Sequence, residues 1–153
     1  MPPRVINGIE ELKALVGHTL GQSEWLDVTQ ERVNQFANGT GDHQWIHCDP
    51  ERAQRESPYG TTVAHGFFTL SLSPVLAQQI YTVTGLKLVL NYGLNRVRFP
   101  GPVKVGSRVR MTCDLIDLKV TPAGVQATTR NVFEVEGEDK PVCVAESVVR
   151  MFF

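Results

Sequence analysis

The feature that most constrains the fold is the segment GFFTLSLSPVLAQQIY, residues 66–81, which contains no Asp, Glu, Lys or Arg. In a helical projection its apolar side chains surround most of the axis, and a helix of that kind is normally buried inside a protein. Pro74 lacks the amide that would bond to the carbonyl of Leu70, so we expect a kink or a tightened turn there. The segment therefore predicts a central helix that the rest of the chain must cover.

After Gly85 the pattern changes to the two-residue alternation that is typical of β-strands. Leu88, Leu90 and Tyr92 share one face and Phe99 has the opposite parity, which predicts a β-bulge near residues 93–95. The connections are too short for a crossover helix, so we expect antiparallel neighbours. The four predicted strand segments are LKLVLNYGLNRVRF, SRVRMTCDLIDLKV, GVQATTRNVFEVEG and PVCVAESVVRMFF. Together these elements predict an α+β domain whose long antiparallel sheet wraps around a central apolar helix.

The first part of the chain has the start and stop signals of helices. The segment GIEELKALVG predicts a short helix that ends at Gly17, and Thr29 is placed to cap a second helix that ends near Gly41. Asp49 followed by Pro50 is a helix start with the proline in the first turn. The first half is therefore expected to be mainly helical.

Composition limits the kinds of partner. The 153 residues suit one domain, residues 1–153, and the formal net charge of -1 gives no basic field for nucleic acid or for an anionic membrane. No apolar run approaches the roughly 20 residues of a membrane span, and the first residues do not resemble a secretory signal, so we expect a cytoplasmic protein. The three cysteines have no CxxC spacing, and reduced thiols are expected.

The segment GTGDHQWIHCDPERA, residues 39–53, has three possible interpretations. His43, His47 and Asp49 have a spacing that suits a metal site on a helix, but the glutamate of HExxH is missing and glycines and Pro50 interrupt a helix. A structural interpretation makes Asp49 a helix cap and Asp42 a turn residue. In the third interpretation, Asp42 and His47 form a general acid/base pair beside an apolar patch.

The next motif, GTTVAHGFFTLSLSP, favours the acid/base interpretation. Gly66 stands at the start of the predicted central helix, where backbone N–H groups lack partners inside the helix and suit a developing oxyanion. Glycine at this position lets a ligand approach the backbone closely. A single histidine such as His65 commonly serves in packing or hydrogen bonding.

These two motifs, with LNYGLNRVRFPGPVKVGSRVR and the closing AESVVR, resemble the MaoC-like hydratases and dehydratases. The resemblance covers nearly the whole chain, and it is strongest to the short members with one hot-dog domain, including 3-hydroxyacyl-thioester dehydratases and the nodulation protein N group. It implies a hot-dog fold, in which a long sheet wraps around a central helix. It also implies a homodimer.

The resemblance assigns roles residue by residue. It implies that Asp42 and His47 are catalytic and that the Gly66 amide binds the thioester oxygen. The asparagine that many members carry two residues after the aspartate is Gln44 here. The position of a serine that some members use is Pro74, so that role is not carried over. His65, Trp45, Phe67 and Phe68 are the further candidates for substrate binding.

The implied reaction is the reversible hydration of a trans-2-enoyl thioester, on coenzyme A or acyl carrier protein, to an (R)-3-hydroxyacyl thioester. It requires no metal and no redox cofactor. A hot-dog thioesterase and a non-catalytic module that binds acyl thioesters are the alternatives. Acyl chain length, the carrier and the physiological direction depend on the shape of the tunnel rather than on these motifs.

Overall fold

The structure is a computed structural model that describes residues 1–153. The helices come before the four long strands in the chain. The helices are α1 (Gly8–Ala14), α2 (Gln30–Thr40), α3 (Trp45–Cys48), α4 (Pro50–Glu56), α5 (Gly66–Ser71) and α6 (Ser73–Ile80). The strands are β1 (Arg4–Ile6), β2 (His18–Gln22), β3 (Leu26–Asp27), β4 (Tyr81–Val83), β5 (Leu88–Arg98), β6 (Arg108–Thr121), β7 (Gly124–Val135) and β8 (Cys143–Phe152).

The large sheet has six strands in the order β2-β6-β7-β8-β5, with β3 also paired to β6, and every pair in it is antiparallel. The predicted strand directions are confirmed, but β5 pairs with β8 and not with β6, its successor in the chain. Crossing three strand spacings takes roughly 14 Å. The connection at residues 99–107 is long enough, because an extended chain covers about 3.3 Å per residue.

The predicted central helix is present as two segments, α5 and α6, separated by Leu72. Pro74 lies in the first turn of α6, and the hydroxyl of Ser73 donates to the carbonyl of Leu70 at 2.6 Å. A side chain thus bonds the carbonyl that the proline leaves without an amide partner. The expected break is confirmed.

The core lies between these helices and the concave face of the sheet. Phe68, Leu72, Leu76 and Ile80 are the buried helical residues. The sheet contributes alternate residues, which point toward the helices because side chains alternate between the faces of a strand. The buried strand residues of this cluster include Val109, Met111, Cys113, Leu115, Val125, Ala127, Phe133, Cys143, Ala145 and Met151.

The local signals are mostly confirmed. Thr29 and Asp49 accept a hydrogen bond from the third residue after them, as N-caps do, and Gly41 ends α2 with φ 84°. The pairing of β5 with β8 is irregular at two places, between residues 91 and 93 and between 94 and 96, which confirms the bulge. The prediction for α1 was too long, since the helix ends at Ala14 and Gly17 adopts its φ of 87° in the turn that follows.

One surface of the chain is more apolar than a typical protein exterior. Strand β5 is a sheet edge and is exposed along nearly its whole length. The adjacent face of the central helix is exposed as well, including Phe67 at 68% and Val75 at 46%. We expected this helix to be covered on all sides. In a single chain only one side of it is covered. None of the helices combines the length and apolar character needed to cross a membrane.

Candidate active site

Asp42 lies in the turn that follows α2. The left-handed conformation of Gly41 turns the chain sharply there, as glycine permits. The carboxylate of Asp42 accepts a hydrogen bond from the amide of Gln44 at 3.3 Å, and its side chain is 52% exposed. The turn interpretation thus explains how Asp42 is oriented, while its carboxylate stays accessible.

His47 lies on α3, and its ring orientation is fixed from one side. Its Nδ1 is 2.6 Å from the carbonyl oxygen of Val63, and because a carbonyl only accepts, Nδ1 carries the proton. In the neutral ring Nε2 is then the basic nitrogen. The backbone therefore sets His47 in the tautomer that suits a proton acceptor at Nε2.

His65 is buried between the catalytic candidates and the core, with only 4% exposure. Its ring stacks on that of His47 with centroids 3.8 Å apart, and the ring of Phe36 packs at 4.8 Å. Its Nε2 donates to the carbonyl of Asp42 at 3.0 Å and lies 3.8 Å from the Asp42 carboxylate. His65 therefore joins Asp42 to His47 rather than facing a cavity, and its Nδ1 has no partner within the chain.

Asp42, His47 and His65 each offer one atom within 4.8 Å of the others, which is close enough to raise the question of a metal. A metal ion lies about 2 Å from a ring nitrogen, along the lone pair in the plane of the ring. The two rings are stacked at 3.8 Å with only 25° between their planes, so one ion cannot lie in both planes at that distance. This arrangement fits proton transfer better than joint metal ligation by the two histidines.

The other polar residues of the segment have separate partners. His43 Nε2 is 3.0 Å from the side-chain oxygen of Asn38, and Asp49 caps α4. The predicted alternative metal set of His43, His47 and Asp49 is therefore not brought together. Burial, and secondly the charge of Asp42, raise the pKa of Cys48, which keeps this free thiol protonated at neutral pH.

A cavity of about 420 Å³ opens beside His47. Gly66 lies in its wall at the first residue of α5, and its amide makes no hydrogen bond to the chain. A side chain at Gly66 would meet the ring of Phe99 at 3.1 Å. The absence of a side chain thus leaves a free N–H donor in the wall of the same cavity as His47.

The predicted substrate-binding residues separate into two groups. Gln44 and Gly66 line this cavity, as does Tyr59. Phe67 does not line it but packs edge-on against Phe99, a residue of the wall. The others do not line it. Phe68 is buried against Phe36, Trp45 stacks with Arg52, and His65 lies behind His47.

Sequence reasoning missed the residues that support the site from behind. Gln30 donates to the carbonyl of His47 at 2.7 Å and accepts from the hydroxyl of Thr62 at 2.6 Å. The segment at Thr62–Ala64 also bonds to Ile46 on one side and to Val103 and Val105 on the other. No local sequence pattern predicts these contacts, because they join segments that are far apart in the chain and mostly use backbone atoms.

Comparisons with known proteins agree on the family. A family model described as MaoC like domain matches residues 11–136. A 3-hydroxyacyl-thioester dehydratase Z from Mycobacterium tuberculosis (strain ATCC 25618 / H37Rv) is 57% identical over 148 residues, which cover 96% of this chain and 97% of that protein. Nodulation protein N from Rhizobium leguminosarum bv. viciae is 42% identical over 147 residues, covering 95% and 91%.

A solved structure places the fold. The (R)-hydratase from A. caviae involved in PHA biosynthesis superposes with a TM-score of 0.68 at 26% identity, over 85% of this chain and 94% of that one. The hot-dog fold that the sequence motifs implied is thereby confirmed. The turn at Asp42, the backbone-oriented His47 and the open amide of Gly66 stand in the segment matched by the family, and the chain belongs to the MaoC-like domain family.

Proposed function

We propose that this protein catalyses the reversible hydration of trans-2-enoyl thioesters to 3-hydroxyacyl thioesters, with Asp42 and His47 as the acid/base pair. The main observation behind the proposal is that His47, with its basic nitrogen, and Gly66, with its unpaired amide, line the same cavity. The name of the 57% identical relative, 3-hydroxyacyl-thioester dehydratase, supports the same chemistry. Hydration requires a proton acceptor for water and a donor for the thioester oxygen, and both are present.

In the proposed hydration, His47 Nε2 and the Asp42 carboxylate hold one water molecule. The pair removes a proton from this water while its oxygen bonds to carbon 3 of the substrate. The electron pair of the double bond moves to give an enolate on the thioester oxygen. The pair then returns its proton to carbon 2 and recovers its starting state. Both groups act on the same water, and His65, which contacts each of them, holds them in position.

The Gly66 amide would donate to the thioester oxygen, where negative charge develops. One donor of this kind is commonly worth roughly 3 kcal/mol of transition-state stabilisation. Every atom transferred comes from water or substrate, so the proposed reaction needs no metal and no redox cofactor. The proposed product is the (R)-3-hydroxy isomer, on coenzyme A or acyl carrier protein, in line with the (R)-hydratase that shares the fold.

We further propose a homodimer formed along β5. The free sheet edge and the exposed apolar residues of the central helix are both uncovered in the single chain. On the same side, Val89 and Leu94 of β5 are 44% and 48% exposed. A second copy pairing along β5 would supply the missing edge hydrogen bonds and cover these side chains.

The test of the activity uses crotonyl-CoA. We expect loss of the enoyl absorbance without release of free thiol, and (R)-3-hydroxybutyryl-CoA as the product in chiral analysis. Release of free thiol would instead support a thioesterase, and an (S) product would contradict the proposed stereochemistry. If no enoyl thioester of any chain length is hydrated, the protein is better described as a binding module.

The test of the residues uses paired variants in one segment. Asp42→Asn and His47→Asn should each lower kcat/KM by about 100- to 10,000-fold, the usual range for a general acid or base. An asparagine at residue 47 keeps an N–H donor near the Val63 carbonyl but has no basic nitrogen. His43→Asn is the matched control and should retain full activity. Normal turnover in both catalytic variants would overturn the assignment.

A further inference from the structure

A second cavity, of about 430 Å³, lies on the concave side of the sheet beside α6, away from His47. Its walls are largely apolar, with Pro74 and Ala77 from α6 and Val89 from β5. It shares no lining residue with the cavity at Gly66. Both cavities border the same broken helix, so the axis of α5 and α6 runs from one to the other.

The floor of this cavity is polar, which is unusual for a plain hydrocarbon pocket. Asn131, Thr129 and Ser147 project from the sheet into it, and Asn131 and Thr129 are 4% and 5% exposed. The amide nitrogen of Asn131 reaches the Ser147 hydroxyl at 3.4 Å, whereas its oxygen is buried with no partner. An unpaired buried acceptor costs free energy, so a residue that lines a cavity and carries such an acceptor points to a ligand that donates to it.

A further lining residue provides a donor. Tyr81 lines the cavity, and its hydroxyl makes no hydrogen bond to the chain. Burial, and secondly the neighbouring Cys113, raise the pKa of Tyr81, so the hydroxyl keeps its proton. The cavity therefore presents one unused acceptor and one unused donor within apolar walls.

We propose that this cavity binds the far end of the acyl group and selects acyl groups that carry a hydroxyl there. A hydroxyl both donates and accepts, and it thus matches Asn131 and Tyr81 together. From Gly66 to Pro74 the helical rise is about 12 Å, which suits an acyl chain of middle length. The inference rests on the proposed function, because it identifies the substrate class of the same enzyme.

The test measures binding without catalysis. Saturated acyl-CoAs cannot be hydrated, so isothermal titration calorimetry reports their affinity alone. We compare ω-hydroxyacyl-CoAs of eight to twelve carbons with partners in which a methyl group replaces the hydroxyl, such as 10-hydroxydecanoyl-CoA and undecanoyl-CoA. At one chain length or more, the hydroxylated ligand should bind about tenfold more tightly, the usual scale for a buried hydrogen bond.

Two variants localise the effect. Asn131→Leu should remove the preference and favour the methyl ligand, and Tyr81→Phe should reduce it severalfold. Tyr92→Phe changes the same group on an exposed strand and should leave the preference intact. Equal or weaker binding of the hydroxylated ligand at every length by the unmodified protein would overturn the inference, whatever the variants do.

Turnover of crotonyl-CoA separates this inference from the proposed function. A four-carbon acyl group is too short to reach the second cavity, so its hydration by the unmodified protein reports on the proposed function alone. Hydration without a hydroxyl preference would reject the inference and keep the function. A hydroxyl preference without hydration would keep the binding site and reject the reaction.

Discussion

At the scale of single residues, the site depends on which nitrogen of each histidine is already occupied. The Val63 carbonyl holds Nδ1 of His47, and the Asp42 carbonyl holds Nε2 of His65. Two backbone oxygens therefore fix both rings, and the stacked contact at 3.8 Å keeps them together. A residue that is not itself exposed, His65, thereby positions two residues that are more accessible.

Gly66→Ala tests how closely the substrate must approach the backbone. The added methyl group would lie 3.1 Å from the Phe99 ring, which is 41% exposed and therefore has room to move. We expect stability to change by less than about 1 kcal/mol, as the ring yields, while kcat/KM for crotonyl-CoA falls at least tenfold because the cavity narrows. Thermal unfolding and steady-state kinetics check the two effects.

The matched control is Gly39→Ala, where nothing lies within 4 Å of the added methyl group. Its kinetics should be unchanged. Phe99→Leu combined with Gly66→Ala should recover part of the lost kcat/KM, since a smaller side chain leaves room. Full activity of Gly66→Ala alone would argue that the substrate does not approach this amide.

At the level of elements, the short helices around the site are held in different ways. Helix α3 has only four residues and no side-chain cap, and α4 starts directly after it at Asp49. The position of His47 is instead maintained by bonds to Gln30 and Val63 from other elements. Stability and activity should therefore respond separately to changes in this region.

Asp49→Ala tests this separation. Loss of its hydrogen bond to the Arg52 amide should lower the free energy of unfolding by about 1 kcal/mol, the usual contribution of an N-cap. Urea unfolding measures the change. The kcat/KM for crotonyl-CoA should stay within twofold of the unmodified protein, because Asp49 lies outside the catalytic cluster. A large loss of activity in a folded Asp49→Ala protein would show that Asp49 does more than cap α4.

At the scale of the whole molecule, the uncovered surface along β5 is the main difference from a self-contained domain. Leu94→Arg would place a charge on that surface, and we expect it to convert the proposed dimer to a monomer in sedimentation analysis. Val120→Arg is the control, because Val120 is 62% exposed near the turn between β6 and β7 and away from that edge. An unmodified protein that is monomeric at all concentrations would exclude the dimer.

The alkaline side of the stability profile should depend on Cys113. Burial, and secondly the charge of Asp114, raise the pKa of this thiol in the folded chain from 9.0 to about 12. Between these values the unfolded chain loses the proton while the folded chain keeps it, so stability falls as pH rises. The contribution of Cys113 to the free energy of unfolding is fully present below pH 9 and decreases above it.

Cys113→Ala removes this contribution. We expect urea unfolding under reducing conditions to show a fall in the free energy of unfolding between pH 8 and pH 10. This fall should be about 1 kcal/mol larger in the unmodified protein than in the variant. Cys143, another buried thiol with a raised pKa, titrates in both proteins and cancels in the comparison. Equal losses in the two proteins would show that Cys113 does not titrate differently on unfolding.

The elements that depend on local physics could be predicted from the amino-acid sequence. The caps at Thr29 and Asp49, the break at Pro74, the strand alternation and the bulge in β5 each follow from the conformational limits of a few neighbouring residues. The motifs also identified Asp42, His47 and Gly66 as candidates. These features depend on neighbouring residues, so they can be predicted from one amino-acid sequence.

The relative positions of those candidates depend on the tertiary structure and could not be predicted from the sequence. The pairing of β5 with β8, the stacking of His65 on His47 and the polar floor at Asn131 all join residues that are distant in the chain. A periodic pattern shows which face of an element is apolar, but it does not show which other element covers that face. Contacts of that kind depend on the packing of the whole fold, and they set both the tautomer of His47 and the chemistry of the second cavity.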